Sequence, residues 1–310
     1  MSNEINLSYS LIIRMLAHPY SVLVFVMLLW TSGLVVSKAS AGLMTPFELS
    51  FSRWILCSLI LFTIFFSQIR IYKQTILENL AKLFLLGFLL AMGSTFLVWS
   101  VESTTVFNAS LLGASQPIIT LIIALFVGLE QISKLQYVGI LLGLIGVFIL
   151  ITEASVKLIL SFKFNTGDLL VLTAVLFYSQ YTINLVKWKL QLPGHIVMLT
   201  SSISSTLILL PLTVIQSGTS LIQLWLDPSA LLIIFFMAIF PTALATSLWN
   251  RALVKVGANK ASVFINLMPV FGAIASILIF GDQFRLYHFH GSLLVIIGVW
   301  MVAFTKGLAK

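Results

Sequence analysis

The stretch ASLLGASQPIITLIIALFVGLEQISKLQYVGILLGLIGV, residues 109–147, returns without a gap as ASVFINLMPVFGAIASILIFGDQFRLYHFHGSLLVIIGV at residues 261–299. This alignment places Pro117 on Pro269. The further matches are Ala109-Ser110 with Ala261-Ser262, Glu130-Gln131 with Asp282-Gln283, Gly139 with Gly291, and Gly146-Val147 with Gly298-Val299. Self-similarity at a fixed spacing indicates a chain built from two related units. The pattern therefore predicts an internal duplication.

The composition around this repeat excludes a soluble protein. Of the 310 residues, 60% are hydrophobic and only 8% are charged, and the mean hydropathy is +1.11. A soluble surface needs a much larger share of charged side chains. In a bilayer the backbone must satisfy its own hydrogen bonds, so only helix bundles and closed barrels cross it. Long continuous apolar runs favour helices over the alternating pattern of a barrel strand.

Ten apolar runs of roughly 18 to 23 residues are long enough to cross a hydrocarbon core about 30 Å thick. They are residues 20–39, 47–67, 81–101, 106–127, 135–153, 168–187, 195–216, 230–250, 258–280 and 287–305. Five spans fall in each copy of the repeat, and an odd number of crossings inserts the second copy upside down. The predicted fold class is therefore an all-α integral membrane protein, with ten transmembrane helices forming two inverted five-helix repeats around a central cavity. The predicted units are residues 1–153 and 168–310, joined by an outer loop at 154–167.

The basic residues predict the orientation of the chain. With a cytoplasmic N-terminus, the inner loops hold Arg14, Arg70, Lys73, Lys82, Lys134, Lys187, Lys189, Arg251, Lys255, Lys260, Lys306 and Lys310. The outer loops then hold only Lys157, Lys163 and Arg285. This bias follows the positive-inside rule and predicts that both termini are cytoplasmic. The excess of basic residues thus serves orientation, and no nucleic-acid partner is expected.

Short motifs, taken with the ordered repeat, carry a family resemblance. WTSGLVVSK at 30–38, TPFELSFSR at 45–53 and the paired Pro, Glu/Asp-Gln and Gly positions resemble the EamA type of the drug/metabolite transporter superfamily. The resemblance covers nearly the whole chain. It implies a secondary transporter without a cofactor, often a bacterial inner-membrane exporter of amino acids and related metabolites. It also implies a substrate cavity between the two repeats.

Polar and aromatic residues inside the spans are the candidates for that cavity, because a polar group in hydrocarbon is costly unless it faces the bundle or water. The predicted cavity residues are Trp30, Trp99, Gln116, Tyr178, Trp249, Asn250 and Asn266. Gln116 and Asn266 precede the predicted helix kinks at Pro117 and Pro269. Each of these amides either binds substrate or satisfies a carbonyl that the proline frees. Tyr181 and Asn184 follow Tyr178 at a spacing of three, which favours a hydrogen-bonded seam between helices.

Three charged residues are candidates for proton or charge coupling. Glu102, beside Trp99, either carries a coupling proton or ends a helix in solvent. Lys38 either marks the membrane edge or attracts a carboxylate. Arg53 is deep enough to need a partner, and Glu48 is poorly spaced to be that partner on the same helix.

The competing functions are an intramembrane enzyme, and a channel or lipid and metabolite facilitator without ion coupling. The sequence has no nucleotide-binding loop and no nucleophile motif at membrane depth. Asp282, His288 and His290 crowd into IFGDQFRLYHFHG at 279–291, yet the stretch aligns with VGLEQISKLQYVG and indicates an outer turn, so no metal is expected. The few ionisable groups predict a neutral or zwitterionic small-molecule substrate. Membrane lipid is the other partner, while proton coupling and the choice between monomer and homodimer stay open.

Overall fold

The computed structural model describes residues 18–40, 42–100, 102–104, 109, 112–129, 133–160, 164–218, 220–280 and 283–305. Together with the short helices Lys73–Glu78, Val156–Leu160 and Ser220–Leu224, ten main helical segments lie in this part of the chain. They are α1 (Pro19–Ala39), α2 (Pro46–Ile71), α3 (Leu80–Ser100), α4 (Gln116–Phe126), α5 (Lys134–Thr152), α6 (Thr166–Trp188), α7 (Gly194–Ser217), α8 (Pro228–Val256), α9 (Ala258–Ser262, Val263–Asn266 and Leu267–Phe280) and α10 (Leu286–Phe304). Among the described residues, nine segments are long and apolar enough to cross a membrane, and α4 is shorter. The all-helical fold class is confirmed.

Local signals in the sequence set where several helices begin. Thr45 and Glu48 form a reciprocal capping box at the start of α2, and Pro46 takes the first helical position. Ser133 with Gln136 caps α5 in the same way, and Asn165 with Asp168 caps α6. Each box satisfies backbone N–H groups that have no partner inside the helix.

Asp227 caps α8 from the position just before the apolar segment Pro228–Val256. Its carboxylate accepts hydrogen bonds from the Ser229 hydroxyl and from the backbone N–H groups of Ser229 and Ala230. These bonds, that from the Ser229 hydroxyl first, lower the pKa of the Asp227 carboxyl.

Three helices depart from regular geometry. In α8, residues Ala238–Leu244 form a π-helical segment around Pro241, which has no N–H to donate. In α9, a 3₁₀ segment at Val263–Asn266 separates two α-helical pieces. In α2, Phe65 has non-helical angles (φ −108°, ψ 18°) and bends the helix. Pro241 and Pro269 are the sequence signals of the breaks in α8 and α9, whereas the break at Phe65 in α2 has no such signal.

The predicted span at 106–127 is described only in part: residues 109, 112 and 113 are helical, and helix α4 covers Gln116–Phe126. Pro117 lies in the first turn of α4, where its missing N–H costs no hydrogen bond. Residues 105–108 and 110–111, the first part of the predicted span, lie outside the described residues. The predicted outer loop at 154–167 contains one short helix, Val156–Leu160.

Helices α5 and α10 pack against each other more extensively than any other described pair, through their glycines. A Cβ atom added to Gly139 would lie 2.9 Å from the Gly298 carbonyl oxygen, and one added to Gly146 would lie 2.6 Å from that of Gly291. The two helices are therefore antiparallel. In the repeat alignment Gly139 corresponds to Gly291, and Gly146 corresponds to Gly298. Gly139 therefore contacts the equivalent of Gly146, and Gly146 contacts the equivalent of Gly139. A two-fold axis in the membrane plane produces this exchange, so the two repeats are inverted.

The rest of the packing obeys the same symmetry. Helix α3 packs on α6, and the equivalent pair α8 and α1 also pack together. Helix α2 packs on its own equivalent, α7, and the pairs α4 with α6 and α9 with α1 correspond. The most extensive contacts thus join helices from different repeats. The repeats are units of sequence whose helices interlace in space.

Candidate substrate site between the repeats

Two predicted cavity residues, Trp30 of α1 and Trp249 of α8, form a direct aromatic pair. Their ring centroids are 5.0 Å apart with the planes tilted by 46°. The Trp30 indole Nε1–H donates to the Pro241 carbonyl oxygen at 3.0 Å. The π-helical segment of α8 thus provides the acceptor that holds Trp30 in place. Trp249 is buried and Trp30 is half-buried. Because Trp30 belongs to the first repeat and Trp249 to the second, the pair lies between the repeats.

Close to this pair, Asn250 is held by protein partners. The Tyr181 hydroxyl of α6 donates to the Asn250 side-chain oxygen at 2.7 Å, and the Asn250 amide nitrogen donates to the Gly194 carbonyl oxygen at 3.5 Å. These bonds join α6, α8 and the start of α7. Tyr181 therefore takes part in a seam between helices, whereas Asn184 bonds within α6 to Gln180 at 3.1 Å. Asn250 is buried with both ends of its amide engaged.

Arg53, on α2, has a different environment. Its side chain is buried, with 8% of its surface exposed, and its Nε and Nη2 atoms have no hydrogen-bond partner among the described residues. The guanidinium carbon lies 5.7 Å from the centre of the Trp54 ring. Its charge acts on Tyr178 of α6 and on Cys57, one turn farther along α2. Arg53 and Tyr178, both predicted from sequence, are therefore close together.

Glu48, the nearest acid on α2, binds elsewhere. One oxygen accepts from the Thr45 backbone N–H at 2.8 Å and the other from the Ser220 hydroxyl at 2.7 Å. The carboxylate is thereby fixed at the end of α2, away from Arg53.

Two of the predicted amides are buried, Gln116 at the start of α4 and Asn266 at the break in α9. Asn266 ends the 3₁₀ segment, and among the described residues neither its amide nitrogen nor its oxygen has a partner. A Cβ atom added to Gly143 of α5 would lie 3.1 Å from the Asn266 amide nitrogen. Gln116 is buried in the first turn of α4. Pro269 follows Asn266 early in the last piece of α9.

The remaining candidates lie at the end of α3 or outside the described side chains. Trp99 is 37% exposed and meets Phe47 edge-to-face, with the centroids 5.6 Å apart. Glu102 is exposed in the turn after α3. Trp99 and Glu102 are thus brought to one end of the bundle, away from the tryptophan pair. Lys38 lies in α1, and its side chain is outside the described set.

Several buried hydroxyls on α2, α3 and α7 were not predicted from the sequence. The hydroxyls of Ser50 and Ser52 on α2, Thr95 on α3 and Ser201 on α7 are buried without a partner. Trp54 donates to the Ser94 hydroxyl at 3.1 Å, which places α2 and α3 in register. Ser50 precedes Arg53 by three residues, and this helical spacing was the available signal.

The histidines near the end of the chain bond to their own helix. The Nδ1 atom of His288 accepts from the Arg285 backbone N–H at 3.1 Å, and His290 Nδ1 lies 2.9 Å from the Leu286 carbonyl oxygen. Asp282 lies outside the described residues. Within those residues, no three His, Cys, Asp or Glu side chains gather as metal ligands would.

A separate groove of about 280 Å³ is lined by Ala114, Leu144, Ile145, Val147 and Phe148. Its lining is apolar, and Ile145 and Phe148 face outward. This groove belongs to the outer surface of α5 and offers no polar group to a solute.

Comparison with known proteins identifies the family. The model of the EamA-like transporter family matches residues 19–152 and, a second time, residues 165–304. The chain belongs to the EamA-like transporter family. The double match of this EamA-like chain coincides with the two sequence repeats.

Curated relatives of this EamA-like protein carry transporter names. An uncharacterized transporter of Bacillus subtilis, YyaM, is 26% identical over 276 residues, covering 85% of this chain and 86% of the relative. An uncharacterized transporter of Archaeoglobus fulgidus is 23% identical over 281 residues, covering 90% and 95%. A protein of known crystal structure shares the fold with a TM-score of 0.74 at 15% identity, covering 90% of this chain and 94% of its own. The EamA-like protein is thus a multi-pass membrane transporter of small molecules, and its relatives point to transport rather than catalysis.

Proposed function

We propose that the protein is a secondary active transporter that exports amino acids or related neutral or zwitterionic metabolites by alternating access. The observation that carries this proposal is the symmetric crossing of α5 and α10 at Gly139, Gly146, Gly291 and Gly298. Inverted repeats can exchange conformations, and the exchange turns a site open to one side into a site open to the other.

Irregular helices in the second repeat support the same mechanism. The π segment of α8 and the 3₁₀ segment of α9 lie in the helices equivalent to α3 and α4. A transporter that is open to one side of the membrane needs its two repeats in different conformations. If equivalent helices had identical conformations, the substrate site would be equally open to both sides. In this proposal the Trp30 bond to Pro241 holds α1 against α8 in the described state and breaks when the site opens the other way.

The tryptophan pair suits an amphipathic solute. Trp30 and Trp249 offer aromatic faces that contact an apolar side chain or an ammonium group. The proposal places both termini in the cytoplasm and the protein in the bacterial inner membrane. It takes the proton as the coupling ion, with Glu102 as the carrier suggested by sequence.

Flux measured in proteoliposomes tests the proposal. Purified protein is reconstituted, and radiolabelled amino acids are supplied one at a time with an imposed proton gradient. We expect uphill accumulation of at least one amino acid, which is abolished by a protonophore. Flux that is strictly downhill under every gradient would favour an uncoupled facilitator and reject the coupled mechanism.

A cellular assay tests the direction. Cells that lack or overproduce the protein are exposed to amino acids and toxic analogues, and intracellular and medium concentrations are followed. Export predicts faster release and greater resistance on overproduction. Increased sensitivity to the same analogues would instead indicate uptake.

A further inference from the structure

A buried cation without a counter-ion marks the interior of the bundle. Arg53 keeps its proton at any physiological pH and has five donor groups. In the part of the chain that the structure describes, no carboxylate lies within salt-bridge distance of its guanidinium, and Nε and Nη2 donate to nothing. Moving an isolated charge out of water is strongly unfavourable unless the charge is paired. Arg53 therefore lacks an anionic partner that would neutralise its charge and accept its hydrogen bonds.

Other donors near Arg53 also lack a partner. Ser50, three residues earlier on the same face of α2, has a buried hydroxyl without a partner. Thr95 of α3, next to the residue that binds Trp54, has another. The Tyr178 side chain of α6 lies within range of an electrostatic interaction with the Arg53 guanidinium. Helices α2 and α3, joined here by the Trp54 bond to Ser94, thus have buried hydroxyls without a partner among the described residues, and α6 contributes the Tyr178 hydroxyl beside Arg53.

The charge at this site belongs to one repeat only. Pro46 begins α2 and Pro193 immediately precedes α7, so aligning these prolines places Arg53 on Thr200. The Thr200 hydroxyl donates to its own helix, to the carbonyl oxygens of Ile196 and Val197 at 3.0 Å each. Because only Arg53 of this pair of equivalent positions is charged, the two repeats together contain one such anion site.

We propose that Arg53 binds the carboxylate of the transported solute, so the substrate class is that of small carboxylates, zwitterionic amino acids included. The inference rests on the proposed function. A planar guanidinium matches a carboxylate with two parallel hydrogen bonds. The Ser50 hydroxyl, on the same face of α2, and the Tyr178 hydroxyl can add hydrogen bonds to that contact, and an ammonium group in the same place would be repelled.

Cys57 provides a direct probe of this site, because it is the single cysteine of the chain and lies one helical turn beyond Arg53. Its side chain is buried here, so modification reports the opening of the site during the transport cycle. The experiment compares two thiol reagents of similar size, the anionic methanethiosulfonate ethylsulfonate and the cationic methanethiosulfonate ethylammonium. The measured quantity is the ratio of their rates in membrane vesicles. Any influence of Arg53 on the thiol itself is common to both reagents and cancels.

We expect Arg53→Gln to lower the ratio of anionic to cationic rates by about tenfold or more, since a nearby unit charge in a low dielectric acts oppositely on the two reagents. Arg53→Lys should keep the ratio near that of the wild type. The matched control is Arg285→Gln, an exposed arginine outside the bundle, which should leave the ratio unchanged. Cys57→Ser provides the blank. An unchanged ratio in Arg53→Gln would overturn the proposal, and so would a Cys57 that reacts only after denaturation.

Protection of Cys57 by solutes identifies the ligand class. The proteinogenic amino acids are tested first, followed by two matched sets: leucine with 4-methylvalerate and isoamylamine, and tryptophan with indole-3-propionate and tryptamine. Amino acids and acids should slow modification, whereas the amines should not. Protection by amines alone, by no compound, or equally by chloride would overturn the carboxylate assignment. Protection without uphill flux in proteoliposomes would keep the site and reject coupled transport.

Discussion

At the scale of single residues, the interior contains one satisfied polar cluster and one unsatisfied charge. Tyr181, Asn250 and Gly194 complete one another's hydrogen bonds. Arg53 has no such completion. A satisfied cluster stabilises the fold, while an unpaired buried charge destabilises the empty protein and becomes favourable only with a ligand.

Replacing Arg53 by methionine should therefore stabilise the empty transporter while abolishing transport of carboxylates. Methionine has a similar length and no charge to desolvate, so we expect a gain of about 1 to 3 kcal/mol in the free energy of unfolding. Thermal unfolding in detergent measures the stability, and proteoliposome flux measures the function. Arg285→Met, at an exposed site, should change neither. A marked loss of stability in Arg53→Met would show that the arginine is a structural element.

Removing the Tyr181 hydroxyl should have the opposite outcome. Tyr181→Phe leaves the buried Asn250 oxygen without its donor, so we expect a loss of roughly 0.6 to 1.7 kcal/mol, typical of hydrogen bonds between helices in membranes. Solute specificity should stay as in the wild type. The double variant Tyr181→Phe, Asn250→Leu should lose less than the sum of the two single variants, because the partners are coupled. Strict additivity, or a changed substrate profile, would contradict the assignment of this pair to packing.

The depth of Arg53 could be predicted from the sequence, because span boundaries follow from hydropathy. Its lack of a counter-ion could not, since this depends on where each acid folds. Glu48 is only five residues away in the chain, yet it turns to Thr45 and Ser220. The tryptophan pair shows the same limit. Trp30 and Trp249 were each candidates by composition and depth, but only the packing of α1 on α8 brings their rings together.

At the scale of helices, the glycine face between α5 and α10 determines how closely the repeats approach. In Gly146→Ala the new methyl group would lie 2.6 Å from the Gly291 carbonyl oxygen and 2.7 Å from the Val295 nitrogen. The helices must separate, and we expect a loss of about 1 to 3 kcal/mol in the free energy of unfolding. Unfolding in detergent and transport rate are the two measurements.

Gly272→Ala is the matched control for that substitution. Gly272 lies in the last piece of α9, and a Cβ atom there meets nothing within 4 Å. Alanine is the better helix former by up to about 1 kcal/mol, so stability should be unchanged or slightly raised. Equal destabilisation by Gly146→Ala and Gly272→Ala would show that the close approach of α5 and α10 has no special weight.

Helix number and type followed from apolar length, while helix interiors did not. The span at 258–280 is one apolar run, yet it folds as three pieces, because Pro269 has no N–H to donate to the Ile265 carbonyl oxygen near its middle. The span at 230–250 lengthens to Pro228–Val256 and includes a π segment. A hydropathy profile averages over a window of residues, so it does not detect a change from α-helical to π- or 3₁₀-helical hydrogen bonding inside that window.

At the scale of the whole molecule, the interlaced packing makes the two repeats mutually dependent. The chain can be divided after the short helix Val156–Leu160, giving residues 1–160 and 161–310. Each fragment alone would leave the glycine face of α5 or α10 and the partner surfaces of α3 or α6 exposed to lipid. We expect both fragments to be degraded when produced alone and to assemble into an active transporter when produced together. Abundance in membranes and flux after co-purification test this, and a stable, monodisperse single fragment would contradict it.

The crossing of α5 with α10 also has a consequence for synthesis. Helix α5 is complete when residue 152 leaves the ribosome, but its partner follows at residue 304, which takes roughly 8 to 30 seconds at ordinary elongation rates. During that delay the glycine face of α5 lies against lipid without its antiparallel partner. The first half of another nascent chain inserts with the same orientation, so its α5 would lie parallel and cannot take the place of α10. The unfinished first half is therefore open to membrane proteases, and slower elongation should lower the yield of folded protein.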